Sequence, residues 1–497
     1  MTNLLGLDVG TSGVRCLAVD ENGKVVAEAT AEYPIYAPRP GWSEQQPEDW
    51  WEASSRVIAQ VVAAAGRHIG ALGLTGQMHG AVFLDKDDAV IRRALLWNDQ
   101  RTAAQCETIT ERVGARRLTE IAGNPALTGF QAPKILWLRD EEPQAYARVA
   151  SVLLPKDYVR LRLTGDSATD ASDASGTLLL DLKARTWSRE ILDALEIPAA
   201  WLPRVFEGPE QTGNLRQDIS TELGLHRRLP VAAGGGDNAA AAVGNGIVRG
   251  GLASCSIGTS GVLFAHSDTL SPDPSGRLHA FCHAVPDRYH LMGVTLAAGG
   301  ALRWWRDLVG RGGYDELTEL ASQAPPGAEG LVFLPYLTGE RTPHLDPSAR
   351  GAFFGLTSRH GLSHLTRAVM EGVAFSLRDS LEIMGELGTS PAQIRATGGG
   401  ARSPFWRQLL ADVLGRPIVR TLVDEGPAYG AALLAGVTAG VFKDVDEACA
   451  GIRLRPDVCE PESSRVRQYH DYYALYRELY PATASTMHSL SDLAQGS

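Results

Sequence analysis

Three glycine-rich stretches carry residue types that could hold phosphate or move a proton. The first, Asp8-Val9-Gly10-Thr11-Ser12-Gly13, sets a carboxylate, two hydroxyls and two glycines where the apolar run 4–9 ends. In a tight turn, backbone N–H groups and the Thr11 and Ser12 hydroxyls form a concave donor cluster for phosphate oxygens, and glycines such as Gly13 let the backbone approach without a Cβ clash. Asp8 at the strand end suits Mg²⁺, which prefers carboxylate, water and phosphate oxygens. The same residues also suit an ordinary hairpin in which Asp8 and Thr11 satisfy the backbone. A second copy favours the phosphate reading: Gly10-Thr11-Ser12-Gly13 recurs as Gly258-Thr259-Ser260-Gly261, almost half a chain length later. Two facing hairpins could hold a polyphosphate between them.

The second stretch is Gly234-Gly235-Gly236-Asp237-Asn238, followed by the small-residue run 239–243. Asp237 suits an N-cap, where a carboxylate is favoured by free N–H groups. It equally suits a general base, with the glycines clearing space for a substrate hydroxyl; one residue can do both. The third, Gly398-Gly399-Gly400-Ala401-Arg402-Ser403, precedes a helix and could lie flat against a nucleotide base or sugar. It lacks the Gly-Lys-Ser/Thr of a P-loop. Gln77-Met78-His79 follows a strand as a polar cluster, structural or sugar-binding, and Trp97-Asn98-Asp99-Gln100-Arg101 reads as surface packing or the rim of a cleft. No metal-ligand His/Cys spacing, nucleophile elbow or Rossmann fingerprint occurs.

The elements that must position these residues come from the same repeat. Runs 4–9 and 14–19 around the first copy, and 252–257 and 262–266 around the second, predict two β-hairpins with the shared tetrapeptide at the turn. Matching strand–turn–strand context at half-length indicates duplication of a fold unit. In the first half, a third strand over 24–33 is followed by a helix over 50–65, opened by Pro47, Glu48 and Asp49. A strand over 68–75 then leads into the Gln77 loop. The second half adds a strand over 331–334, a helix over 362–384, a strand over 394–396, a helix starting at Ser403-Pro404 and an aromatic, amphipathic helix over 462–480. The expectation is a mixed α/β protein with two large lobes, residues 1–246 and 247–497, around a deep cleft.

Length and charge limit the function classes. At ~100–200 residues per domain, 497 residues suggest two to four domains or two large ones. The net charge of −11 gives no electrostatic footprint for nucleic acid or an anionic membrane. Six scattered cysteines without a CxxC point to a reducing compartment, and no secretory signal or membrane span is legible. These features predict a soluble cytoplasmic protein.

Taken in order, Leu7 to Gly13, Gly76-Gln77-Met78-His79-Gly80, Leu96-Trp97-Asn98-Asp99, Leu154-Pro155-Lys156-Asp157-Tyr158, Gly234 to Asn238, Ile257 to Gly261, Gly339-Glu340-Arg341-Thr342-Pro343 and Gly398 to Ser403 resemble the motif series of the FGGY carbohydrate kinases. Within that family the chain most resembles the branch acting on xylulose. The resemblance runs from about residue 3 to about 440 and is weakest over the C-terminal segment. It implies two actin-like (ribonuclease-H-like) domains facing a central cleft, ATP and Mg²⁺ as cofactors, and phosphoryl transfer to the 5-hydroxyl of D-xylulose. It also implies a homodimer. By the same resemblance Asp237 is the catalytic base, and Asp8 serves Mg²⁺ and phosphate. Met78, His79 and Asn238 contact the sugar. The Thr11 loop, with Ser12 and Gly13, and the Gly258-Thr259 loop hold phosphates, and Gly399, Gly400 and Ala401 lie by the adenosine. Gln77-Met78-His79 argues against glycerol, because glycerol kinases carry an Arg-Glu pair after a Gln here. Another ketose or polyol remains an alternative acceptor, and a chaperone-like ATPase is the alternative from a different class.

Overall fold

A computed structural model describes residues 2–225, 228–310, 312–423 and 426–495. Two sheets organise the molecule. The first runs, in space, Val25–Glu32, Gly13–Asp20, Asn3–Val9, Ile69–Gly76, Pro230–Ala232 and Gln211–Asn214, and the short strand Gly235–Gly236 also pairs with Ile69–Gly76. The second runs His279–Cys282, Tyr289–Thr295, Gly261–Ser267, Leu252–Ile257, Gln393–Thr397 and Ile418–Val419. In both, a hairpin pairs antiparallel and the next strand joins its first member in parallel. The hairpin turns are 10–12 and 258–260, so the repeated tetrapeptide marks equivalent corners of equivalent sheets.

Helix boundaries follow local chemistry. Pro47 starts Pro47–Ala65 where its missing N–H costs nothing, Glu48 and Asp49 face the free N–H groups, and Gly66 at φ +80° ends it. Ser403 accepts from Trp406 N at 3.2 Å and caps Pro404–Leu414. The helix Leu362–Glu386 is buried along most of its length and forms the centre of the second half's core. The C-terminal helix extends well past the expected aromatic stretch, over Ser463–Gln495. Tyr469, Tyr473 and Tyr476, spaced for one face, are buried against Phe375 of the long helix.

One helix from late in the chain is seated against the first sheet. Within Gly426–Thr438, Ala428 and Ala431 lie over Gly6 and Gly73, and Gly430 lies over Ala240 of the helix Asp237–Gly244. Small residues on all three partners allow backbone-to-backbone contact, so the segment after Asp237 is clamped from behind. Among the described residues, no helix is long and apolar enough to cross a membrane, and all six cysteines are unbridged.

Candidate active site

Parallel pairing brings the two carboxylates together. Asp8 lies opposite Thr75 and Val9 opposite Gly76, while Gly235 and Gly236 lie opposite Thr75 and Gly76 from the other side. Asp8, Gly76 and Asp237 therefore share one end of the first sheet. Asp8 is pushed up to about 7, chiefly by burial and then by the nearby Asp237 carboxylate, with Arg15 opposing. Its Oδ1 is buried and has no hydrogen-bond partner. Asp237 is raised to about 6 by burial, although its Oδ1 accepts from Asn238 N at 2.7 Å and from Asn238 Nδ2 at 2.9 Å.

The sequence allowed Asp237 to be the helix cap, but that position belongs to Gly236; Asp237 is the first helical residue. Its carboxylate projects from the start of the helix, where the N-terminal dipole favours negative charge. Asn238, expected at the sugar, uses its amide to orient Asp237.

The 77–79 loop meets the base loop directly. A Cβ on Gly236 would lie 2.8 Å from Met78 Cγ, so glycine is what lets the Met78 side chain cover the residue before Asp237. His79 has φ +69° and places Nδ1 2.7 Å from the carbonyl of Gly176, to which it donates. Burial, then the charges of Lys134 and Arg341, hold its imidazole down to about 3. The ring is neutral, with Nδ1 carrying the proton and Nε2 left as an acceptor for a ligand hydroxyl. Met78 thus stands against Gly236, the residue before Asp237, and both Met78 and His79 stand against Gly176.

The first phosphate-type corner is braced at its carbonyls. Gly10 O accepts from Tyr33 Oη at 2.5 Å and from Gln77 Nε2 at 3.3 Å, and Thr11 O accepts from Gln45 Nε2 at 2.7 Å. Trp97 Nε1 donates to Thr11 Oγ1 at 2.9 Å, which leaves the hydroxyl proton free to donate outward. Gln77 is therefore a brace for the turn. Tyr33 and Gln45 carried no sequence signal, since nothing local distinguishes them from other residues near a strand end.

The second corner borders a cavity of about 580 Å³. Gly258, Thr259, Gly399 and Gly400 line it together with Tyr314 and Trp406. Ala401 is buried in the core beneath and does not line it. Gly258 O and Thr259 O accept from the amides of Gly299 and Ala298, fixing the turn on the start of the helix Gly299–Val309.

Below the base loop lies a buried ionic group that sequence patterns did not reveal. Lys156 Nζ pairs with Asp157 at 2.6 Å and Asp170 at 2.9 Å, all fully buried. Asp170 accepts from the Ser172 hydroxyl at 2.5 Å, Ser172 Oγ accepts from Gly236 N at 3.1 Å, and Arg160 donates to the carbonyls of Ala232 and Ala233 at 2.8 and 2.5 Å. These contacts fix the chain on both sides of Gly234. Lys156 and Asp157 adjoin in sequence, but the Lys156–Asp170, Ser172–Gly236 and Arg160–Ala233 contacts span 14, 64 and 73 positions, which is why spacing gave no hint of them.

Among the described residues no group of three or more His, Cys, Asp and Glu has metal-holding geometry. One orphaned Asp8 oxygen beside a second carboxylate nevertheless fits Mg²⁺, which needs only one or two carboxylates when phosphate and water complete its shell.

Two sheets of one topology, with paired carboxylates at the end of the first and a nucleotide-sized cavity at the corner of the second, define an α/β protein of two actin-like domains. The family model for the N-terminal domain of FGGY carbohydrate kinases matches residues 3–244 and that for the C-terminal domain matches residues 253–439, so the chain belongs to the FGGY family of carbohydrate kinases. It is 44% identical over 481 residues to the xylulose kinase of Escherichia coli, covering 96% of this chain and 98% of that protein. Among solved structures, a "xyloylose kinase" from Brucella ovis superposes with a TM-score of 0.93 at 41% identity, covering 97% and 100% of the two chains. A gluconate kinase from Lactobacillus acidophilus superposes with 0.94 at 28% identity, covering 98% and 99%. Backbone likeness alone therefore does not distinguish acceptors within the family.

Proposed function

We propose that this carbohydrate kinase transfers the γ-phosphoryl group of ATP to the 5-hydroxyl of D-xylulose, giving D-xylulose 5-phosphate and ADP in xylose catabolism. The observation that carries the proposal is the meeting of Asp237 with the Met78-His79 loop across Gly236. A carboxylate at about 6 is ionised at neutral pH yet basic enough to take a hydroxyl proton as the oxygen attacks phosphorus. Neutral His79 accepts a sugar hydroxyl through Nε2, and Met78 gives the carbon chain an apolar wall. The identity to the E. coli xylulose kinase supports D-xylulose over other acceptors.

Phosphoryl transfer asks a protein chiefly for alignment and charge stabilisation. Thr11, Ser12 and Gly13 on the first corner, and Gly258 and Thr259 on the second, supply hydroxyl and N–H donors to the phosphates. The adenosine lies along Gly399 and Gly400, with Ala401 supporting them from the core. Asp8 would hold Mg²⁺, which supplies charge neutralisation to the phosphate oxygens. The lobes divide near residues 246 and 247, except that the later helix Gly426–Thr438 packs on the first sheet. A cytoplasmic location and a homodimer belong to the same reading, to be checked by fractionation and light scattering.

The test is ADP release with MgATP and a panel of D-xylulose, L-xylulose, D- and L-ribulose, glycerol, gluconate and no sugar. Strong, selective stimulation by D-xylulose is expected. Selective stimulation by another acceptor refutes the substrate assignment, and ADP release indifferent to every acceptor points instead to an ATPase.

A further inference from the structure

The helix Gln131–Glu141 takes no part in the chemistry described so far, yet its first turn grips the 77–80 loop at three points. Phe130, just before the helix, stands edge-on to the His79 ring with centroids 4.9 Å apart. Gln131 Nε2 donates to Gly80 O at 2.8 Å and to Leu153 O at 3.1 Å. Lys134 Nζ donates to His79 O at 3.0 Å and to Gly129 O. The same turn also fixes the partner of the imidazole. Ala132 N donates to Thr177 O at 3.0 Å, and Thr177 follows Gly176, whose carbonyl accepts from His79 Nδ1. The backbone, the ring and the tautomer of His79 are therefore all set from one helix start.

Lys134 is the costly member of this group. It is fully buried, and among the described residues it forms no ion pair. A lysine withdrawn from water without a carboxylate partner is unfavourable unless its donors are used. Burial pushes its ammonium down to about 7, with Asp99 opposing, and even the neutral amine keeps two N–H donors, one for each carbonyl. The Gly129 contact closes back on the lysine's own segment. The His79 contact crosses to a different loop, at a residue whose φ of +69° is uncommon for any side chain other than glycine. Such a backbone persists only where its surroundings over-determine it, and a donor fixed on a helix at the carbonyl of that residue supplies the constraint.

We propose that Lys134 is a positioning residue for acceptor binding, which holds the His79 carbonyl and so keeps the imidazole turned with Nε2 towards a sugar hydroxyl. The proposal rests on the kinase reading above, in which neutral His79 accepts that hydroxyl. Pre-setting the ring before the sugar arrives saves the ordering that binding would otherwise have to supply. The lysine touches no substrate, so its effect passes through His79.

The experiment is a double-mutant cycle of Lys134→Met and His79→Ala, read as KM for D-xylulose, KM for ATP and kcat. Lys134→Met keeps the length of the stem and removes the donors. It is expected to raise KM for D-xylulose about 5- to 30-fold. KM for ATP and kcat stay within about threefold, because Asp237 is held separately through Ser172 on Gly236 N. His79→Ala raises KM for D-xylulose comparably, and adding Lys134→Met to it raises KM by less than about threefold more. Lys134→Gln, which retains N–H donors on a shorter arm, carries the same cycle if the methionine variant does not fold. A native KM in a folded variant, a loss falling equally on ATP and kcat, or two losses that multiply in the double variant overturns the proposal. If wild type acts on a different sugar, the substrate assignment fails and the same cycle is read with that sugar. A wild type that phosphorylates no sugar overturns both.

Discussion

Replacing Asp237 by Asn tests the proton transfer with little disturbance of the fold. The carboxamide has the carboxylate's shape, and its Oδ1 can still accept from Asn238 N, as the native Oδ1 does at 2.7 Å. It cannot take a proton. With a carboxyl at about 6, nearly all Asp237 is ionised at pH 7.5, so the variant removes a base that is fully available in the wild type. A positioned base contributes ~10²–10⁴-fold, equivalent to about 3–5 kcal/mol of barrier. We expect kcat to fall by that factor in a coupled ADP-release assay at pH 7.5, with KM for D-xylulose within about threefold. Burial penalises the charged form, so its removal should leave Tm unchanged or raise it. The wild-type kcat/KM should fall as pH drops through about 7 and then about 6, where Asp8 and Asp237 in turn take up a proton, steepening to roughly a hundredfold per pH unit below both because each ionised carboxylate is required. The residual activity of Asp237→Asn should keep only the Asp8 step, with a slope of about tenfold per pH unit. A kcat within about threefold of wild type, or an acid slope as steep in the variant as in the wild type, would refute the assignment of the base.

Three other perturbations probe the frame around this chemistry. Trp97→Phe keeps an aromatic ring but deletes the 2.9 Å donor to Thr11 Oγ1; KM for ATP should rise about 2- to 10-fold at saturating sugar, and an unchanged value would show that the Thr11 hydroxyl needs no holding. In Gly430→Ala the new Cβ would stand 1.8 Å from the carbonyl of Ala240. That overlap should cost at least ~1–3 kcal/mol and lower Tm by several degrees in a thermal melt, whereas a native Tm would mean the helices separate easily. His290 is stacked on Phe264 and held by burial at about 3, below its ordinary value near 6.5. Between those values the unfolded chain takes up a proton that the folded chain refuses, so this histidine erodes stability by ~1.4 kcal/mol per pH unit as pH falls from 6.5. Urea unfolding of His290→Phe at pH 7.5 and 5.5 should show a shallower loss than wild type; equal losses would mean that the buried ring protonates freely.

What was legible in the sequence was whatever rests on neighbouring residues. Pro47 with Glu48 and Asp49, and Ser403 with Pro404, announce helix starts because caps act within one turn, and both helices begin there. The repeated hairpins were legible because a strand and its turn are contiguous. Asp237 was legible as a candidate but not as N1 rather than N-cap, a distinction set by how Gly236 pairs with Gly76. Nothing local could show that Tyr33, Gln45 and Gln77 would converge on the carbonyls of Gly10 and Thr11, or that Lys156, Asp170 and Ser172 would join beneath Gly236. Those arrangements depend on how strands far apart in sequence are paired, the parallel partners of Ile69–Gly76 lying 66 and 160 positions away, which no periodicity encodes.

The duplication explains why the two halves can share one reaction without competing for one role. Gly76, which ends the strand lying parallel to the first hairpin, and Gly398, just after the equivalent strand Gln393–Thr397, each meet the carbonyl ending the hairpin's first strand, on Val9 and Ile257, with the same 2.7 Å approach for an added Cβ. The scaffold is thus repeated down to a backbone contact. Its chemistry is not. Where the first half has Asp8 paired with Thr75, the second has Ser256 paired with Thr397. A carboxylate at that second corner would repel the phosphates of a nucleotide held in the adjoining cavity; a neutral hydroxyl does not. Both ionisable carboxylates, Asp8 and Asp237, are instead gathered on the first sheet, where each is raised by burial and Asp8 further by its neighbour. One sheet can therefore offer a neutral bed of hydroxyl and N–H donors, while the other concentrates the negative charge that a cation and a sugar proton require. Moving that charge, with Ser256→Asp, should weaken ATP binding measured by calorimetry while sparing D-xylulose; undiminished ATP affinity would show that the corner does not face the phosphates.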